Sequence, residues 1–381
     1  MNTTNNTTDL TPSALLDGKT HRLVIQATLA PAAGQNRFQP AGFPEVGHVI
    51  YDAPQSDGST TKVCIVDSAA SMANHLESVC VDRFSMELVS DLQGLPYVQC
   101  LTDNGSDKIP ARLVVTTLSE GHRLASSLFT DDKSKVVNAD NSLNENNLGQ
   151  VLLEKFKLVN LGKRSHPLPN DWWNVFNTIF EYDPNSLVHG ILFPAMGIKL
   201  SRVLTANLEA LGAARVASSG VKFDKLLMTT SGQPIFAKDE ETARKIHATF
   251  VIDLSLIRSF GREKNGLQKN QKELILGLAL WKISKLLEAP FRYRSGCDLE
   301  LVKLRKIQNG THTDLDISSL NIDIASLINS AKFPKTPITK IYWPSTELFK
   351  KAKDKKDIPE DALTDTEDSA AEGEKAEDSA N

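Results

Sequence analysis

The chain has 381 residues, 40% of them hydrophobic and 24% charged, with 43 Lys and Arg against 47 Asp and Glu for a net charge of -4. This is ordinary globular composition with core material for one big domain or two modest ones, so no disulfide or metal staple is needed to hold the fold. Residues 351–381 hold 5 Lys and 11 acidic residues, which leaves a mildly basic body of 38 basic and 36 acidic groups that permits a polyanion partner without requiring one.

In chain order, residues 1–13 are rich in Asn and Thr, lack periodic apolar positions and are expected to be a mobile tail. A β-branched run at 21–29 reads as a strand, and 62–66 and 112–116 read as buried strands. Between the last two, Ala69, Met72, Ala73, Leu76 and Cys80 fall at helical spacing behind Ser68, a good N-cap, leaving Ser71, Asn74 and His75 on the other side. The polar stretch 130–150 reads as a surface insertion. A second helix is expected after Ser201, with Val203, Leu204, Leu208 and Leu211 on one stripe, and a strand over 250–254. Residues 272–288 predict a third helix, apolar almost all round in its first half and therefore buried, ending before Pro290. The segment 222–238 reads as a second insertion and 351–381 as a solvated acidic tail. Scattered strands with a few packing helices predict one α+β domain over 14–350 with antiparallel pairing.

Several function classes have no support. Cys64, Cys80, Cys100 and Cys297 are too far apart for zinc half-sites and read as reduced core thiols. There is no G-x-S-x-G, Walker loop, G-x-G-x-x-G or H-x-x-x-H, so no cofactor, metal or catalytic group is expected. The N-terminus lacks the pattern of a signal peptide, and the longest apolar run, Leu274 to Trp281, is too short to cross a bilayer, so a cytoplasmic protein with no membrane partner is expected.

What remains is a set of basic groups among small polar and aromatic residues. In Phe291-Arg292-Tyr293-Arg294 a strand places the rings on one face and both guanidinium forks on the other, an arrangement suited to phosphates or, equally, to a half-buried strand with solvated arginines. His122, Arg123 and Ser126 follow Gly121 in what is otherwise a capped loop. Lys222 beside Phe223 offers a cation and a stacking ring, or a plain turn. Arg22 and Arg202, at the starts of the first strand and of the helix after Ser201, complete the basic set. His189 reads as a satisfied core histidine.

Taken in order, Gly42-Phe43-Pro44-Glu45-Val46-Gly47, Val66-Asp67-Ser68, Asn74-His75-Leu76-Glu77, Gly94-Leu95-Pro96-Tyr97, His122-Arg123-Leu124, Tyr182-Asp183-Pro184-Asn185-Ser186-Leu187-Val188-His189-Gly190, Ser219-Gly220-Val221-Lys222, Leu280-Trp281-Lys282-Ile283 and Cys297-Asp298-Leu299-Glu300 resemble the backbone subunit of the type I-G (formerly I-U) CRISPR effector, in the Cas-seven group of the RAMP superfamily. The resemblance implies an RRM-like (ferredoxin-like) palm with inserted thumb and web loops. It also implies binding of CRISPR guide RNA without catalysis, pairing of the guide with target DNA, and a head-to-tail filament of copies beside a large subunit and a fused guide-processing subunit. Where the family helix reads Asn-Arg-Leu-Glu, this chain has His75, a group mostly neutral near pH 7, so Arg123, Arg292 and Arg294 rank above it as phosphate contacts. The alternative is a RAMP-type ribonuclease using Asp67 or Asp183.

Overall fold

A computed structural model describes residues 10–43, 47–105, 110–161, 164–216 and 240–348. The expected insertion at 222–238, with Lys222 and Phe223, lies outside the described residues, as does the acidic tail. The elements that shape the molecule are β1 (Arg22–Pro31), β2 (Ile50–Pro54), β3 (Thr60–Asp67), α1 (Ala69–Ser78), β4 (Tyr97–Thr102), β5 (Arg112–Thr116), β6 (Lys135–Val137), α2 (Leu148–Phe156), α3 (Trp172–Tyr182), α4 (Pro184–His189), β7 (Leu204–Leu211), β8 (Lys245–Asp253), α5 (Lys269–Leu287), β9 (Phe291–Arg294), β10 (Cys297–Gln308), β11 (Thr311–Leu315), α6 (Ile324–Ala331) and β12 (Ile338–Trp343). The result is mixed α+β, as expected.

The main sheet runs β9-β10-β1-β8-β7-β3-β2, with β11 paired to β10, and every pair in it is antiparallel. Strict alternation makes it two-faced. Leu23, Ile25, Ala27 and Leu29 of β1 and Ile246, Ala248, Phe250 and Ile252 of β8 are buried, and the residues between them are half-exposed or exposed. A smaller sheet, ordered β5-β4-β12-β6, is parallel only between β4 and β12.

The main sheet curls until its two ends meet. Ala41 N–H donates to Val66 O (2.9 Å) and Gln39 N–H to Gly296 O (2.8 Å), so the segment before β2 bridges β3 and the turn into β10. Arg294 on β9 completes the closure, donating to Val66 O at 2.7 Å and pairing with Asp67 at 3.0 Å. The shift in register between Thr28 and Leu29, opposite β10, lets the strands bend there.

Beneath the apolar face, α1 packs on β7, and α5 lies against α1, α4 and α6. Every residue of α5 from Leu274 to Ser284 is buried, which is why its sequence there is apolar all round but for Lys282 and Ser284. Gly277 lets α6 approach, since a Cβ there would collide with Leu327.

Four expectations change. The stripe after Ser201 is strand β7, not a helix: Leu204, Ala206, Leu208 and Ala210 are all buried, a period of two. Leu10 and Pro12 are buried, Pro12–Asp17 is a short helix, and Arg258 donates to the carbonyls of Leu15, Leu16, Gly18 and Thr20, so ordered structure begins before residue 14. The strand at 112–116, expected to be buried, is exposed over Arg112–Val114, where it lies at the edge of its sheet. Within 130–150, β6 pairs with β12, and Asn147 caps α2 in a capping box. Tyr293 sits at a register irregularity, so Arg292 and Arg294 part company, one exposed and the other turned inward.

Candidate nucleic-acid interface

The motif segments converge, but much of what they bring together is buried. Arg123, held at a left-handed φ of 51°, is 6% exposed and forks onto Glu77 with both contacts at 2.6 Å. Asn185 Nδ2 donates to the same carboxylate at 2.6 Å, and its Oδ1 accepts from Lys282 Nζ. Lys282 also donates to His189 Nε2 at 2.9 Å, which places the ring proton of His189 on Nδ1. Next to this chain of contacts, Ser186 Oγ donates to Asp183 Oδ2 at 2.6 Å, while Asp183 Oδ1 has no partner among the described residues. Burial pushes Asp183 up to about 7, reinforced by the Glu77 charge and opposed by Ser186, Lys282 and Arg123. Burial, with the Lys282 charge, holds His189 well below the ordinary histidine range and so neutral.

Arg123 is therefore an internal ion pair and does not offer its guanidinium at the surface. Ser126 is buried and caps the short helix Ser127–Thr130, accepting from Leu128 N–H. Of the three candidate side chains there, His122 is the exposed one, near Glu120.

The second convergence lies at the first turn of α1. Ser68 accepts from Ser71 N–H, as its sequence position predicts. His75 Nε2 lies 2.8 Å from Asp67 Oδ2 and 3.2 Å from Ser71 Oγ, its ring edge-on to Phe291 and Tyr293 at 5.4 and 5.3 Å. Burial pushes the Asp67 carboxyl up, but the His75 hydrogen bond and the Arg294 charge outweigh it and hold the group below its ordinary value. Arg202, half-buried, donates to Ala69 O at 3.0 Å. Asn74 is exposed beside them, and Arg292 is exposed with Asp298 at 2.7 Å. The structure thus gathers Ser71, Asn74, His75, Arg202 and Arg294 around one helix start, with Arg294 already committed to closing the sheet.

The third surface was not anticipated as a site. On the face of the sheet opposite the core, Arg305, Gln26, Thr249 and Asn207 form one rung across β10, β1, β8 and β7, and Lys303, Thr28, His247 and Glu209 form the next. Arg22 lies on the same face, paired with Asp253 at 2.8 Å. Asn207 is exposed and the others in the two rungs are half-exposed. Asp314 on β11 meets both Lys303 (2.6 Å) and Arg305 (3.3 Å). Burial, followed by the Lys245 and Arg305 charges, lowers the pKa of His247, so its imidazole stays neutral near pH 7 and can both donate and accept. The signal was present in the sequence as alternate polar residues within the strands, in Gln26-Ala27-Thr28 and His247-Ala248-Thr249. Four strands about 4.8 Å apart make a strip roughly 14 Å wide of amides, hydroxyls and cations, with one carboxylate, Glu209, at its β7 end.

The four cysteines are buried and free, and burial pushes the Cys64, Cys100 and Cys297 thiols up to about 12 and Cys80 to about 11. Among the described residues no cluster of His, Cys, Asp and Glu is arranged for a metal ion, and no helix is long and apolar enough to cross a membrane.

The family profile described as CRISPR-associated protein GSU0053 matches residues 23–215. Among solved structures, the chain is similar to Csc2 of Thermofilum pendens, with 11% identity over 84% of this chain and 88% of that one and a TM-score of 0.35. No curated protein matches the chain.

Proposed function

The chain belongs to the CRISPR-associated protein GSU0053 family, and from that membership we propose that it is the guide-RNA-binding backbone subunit of a CRISPR effector of the type I-G kind. In this reading several copies line the guide head to tail and present it for pairing with target DNA, beside the large subunit and the fused guide-processing subunit, in the cytoplasm. The observation that carries RNA binding is the pair of polar rungs on the outer face of the sheet.

That face is supported as an RRM-like palm by strand order. If β1, α1, β7, β8, α5 and β10 are taken as a β-α-β-β-α-β unit, their strands lie in the order fourth, first, third, second. Palms of that kind hold single-stranded RNA on the open face. Here the two rungs carry one ring, His247, among amides, hydroxyls, two cations and the Glu209 carboxylate, which favours backbone and 2′-OH contacts over base stacking. Binding is accordingly tolerant of guide sequence, as a subunit that must accept any guide requires.

The protein acts without cutting. Asp67 is 2% exposed and occupied by His75 and Arg294, and Asp183 is sealed in the core, so neither carboxylate reaches a strand lying on the surface. An RNA that is cleaved by wild type and spared by Asp67→Ala would establish the ribonuclease alternative.

The test is anisotropy of labelled single-stranded RNA with the full chain. Lys303→Glu and Arg305→Glu should weaken binding to all RNA sequences alike, and Lys303→Ala or Arg305→Ala should each lower the salt slope by about one phosphate's worth. Wild-type protein that binds no RNA at low salt overturns the proposal.

A further inference from the structure

The loop that leaves α1 presents a ring the fold does not use. Val81 and Leu88 bridge its base, Asp82 N–H donates to Glu87 O and Met86 N–H to Asp82 O, both at 2.8 Å. The Asp82 carboxylate accepts the N–H groups of Phe84 (3.0 Å) and Ser85 (2.8 Å), and Met86 takes a left-handed φ of 56°. At the tip of this cross-braced loop Phe84 is 99% exposed, with Met86 beside it at 38%. A braced loop has already lost the freedom that docking would otherwise remove, so its ring is a pre-organised anchor.

The charges beside the ring decide between partner classes. Asp82, Arg83 and Glu87 are all exposed, leaving the loop net negative, which disfavours a phosphate backbone and favours a basic protein surface. The protein carries such a surface. A recess of about 150 Å³ is walled by Leu29, Pro31, Phe38 and Ile246, with the exposed Arg244 and Lys245 among its lining residues. In volume it matches a cavity that takes a benzene ring, and its lining, which includes Asn36 and Thr242, is as polar as it is apolar. Among the described residues no ion pair engages Arg244 or Lys245.

We propose that Phe84 of one copy seats in this recess of a second copy, with Asp82 and Glu87 facing Arg244 and Lys245. Loop and recess are different patches of one chain, so the contact is heterologous and propagates from copy to copy. The inference rests on the multi-copy reading above for its purpose, although the contact itself needs no RNA.

The experiment mixes full-length Phe84→Cys with full-length Ala243→Cys, the second thiol lying in the recess, under mild oxidation, with and without single-stranded RNA. The natural cysteines are buried and do not compete. A disulfide requires Cα atoms within about 7 Å, so the mixture should give on the order of tenfold more covalent dimer than either variant alone. A mixture that yields no more dimer than the separate variants, with or without RNA, overturns the proposal. Phe84→Asp changes no core contact and should leave thermal unfolding and binding to an RNA long enough for one copy unchanged. It should weaken assembly of successive copies on longer RNA by roughly thirtyfold, the loss typical of an aromatic hot spot. Unchanged assembly by this variant also overturns the contact. If wild type binds no RNA, the functional reading fails while the cross-linking still decides the contact.

Discussion

Arg123 illustrates how a residue recruited by its charge serves the interior. Both of its side-chain contacts to Glu77 are made where little water reaches, and Glu77 in turn holds Asn185. Removing one partner strands the other, so Arg123→Met should lower unfolding free energy by about 3–5 kcal/mol, and Arg123→Met with Glu77→Leu should recover much of it. Urea unfolding of the two variants checks this. Asp183 makes a second prediction. Its folded pKa of about 7 lies above the unfolded carboxylate value of roughly 3.9, so between these pH values the folded chain holds a proton that the unfolded chain releases. Its contribution is greatest below the unfolded pKa and is lost as pH rises through about 7. His189, kept neutral, acts oppositely below the ordinary histidine pKa, so the comparison must be between wild type and Asp183→Asn. The variant should gain stability relative to wild type between pH 5 and pH 8, read from urea midpoints; an equal difference at both pH values would place the shift elsewhere.

At the level of elements, one side chain joins the two ends of the main sheet. Arg294 reaches from β9 to the end of β3 and there neutralises Asp67, the residue that leads into the cap of α1. Arg294→Ala should cost about 1.5–3 kcal/mol, the range for hydrogen bonds to charged groups. Arg294→Lys should restore only part, because a single ammonium cannot reproduce the fork to Val66 O and Asp67. Amide exchange should quicken first in β9, the start of β10 and the end of β3. Faster exchange spread evenly over the molecule would mean that the clasp is not local. The position also explains why this arginine is a poor candidate for a free phosphate contact: moving it opens the sheet.

For the whole molecule, the acidic tail and the proposed RNA surface carry opposite charge effects. Deleting 351–381 removes 5 Lys and 11 acidic residues and moves net charge from -4 to +2. The deletion should leave the melting temperature of the folded core nearly unchanged, since the tail lacks apolar periodicity. RNA binding should tighten at low salt, with the gain fading as salt screens the tail. A large fall in melting temperature would show that the tail docks on the core. With RNA in excess length, the number of bound copies should rise in steps with strand length; a fixed stoichiometry at every length would oppose the repeating arrangement.

Local pattern decided the elements whose neighbours are close in sequence. Ser68 and the spacing from Ala69 to Leu76 specified α1, the uninterrupted apolar run specified α5, β-branched runs marked β1, β3 and β5, and clean alternation marked β8, while the exposure of β5 was not legible. The stripe at Leu204 and Leu208 was ambiguous because a spacing of four satisfies both helix and strand; the small buried Ala206 and Ala210, meaningful only beside β8 and β3, settle it. Likewise, the sequence shows that Arg123, Asn185 and Lys282 are polar and cannot show where they point. Their partners are 46, 108 and 97 residues apart along the chain, and whether a cation meets phosphate or a buried carboxylate depends on which distant segments the closed sheet and α5 bring against it.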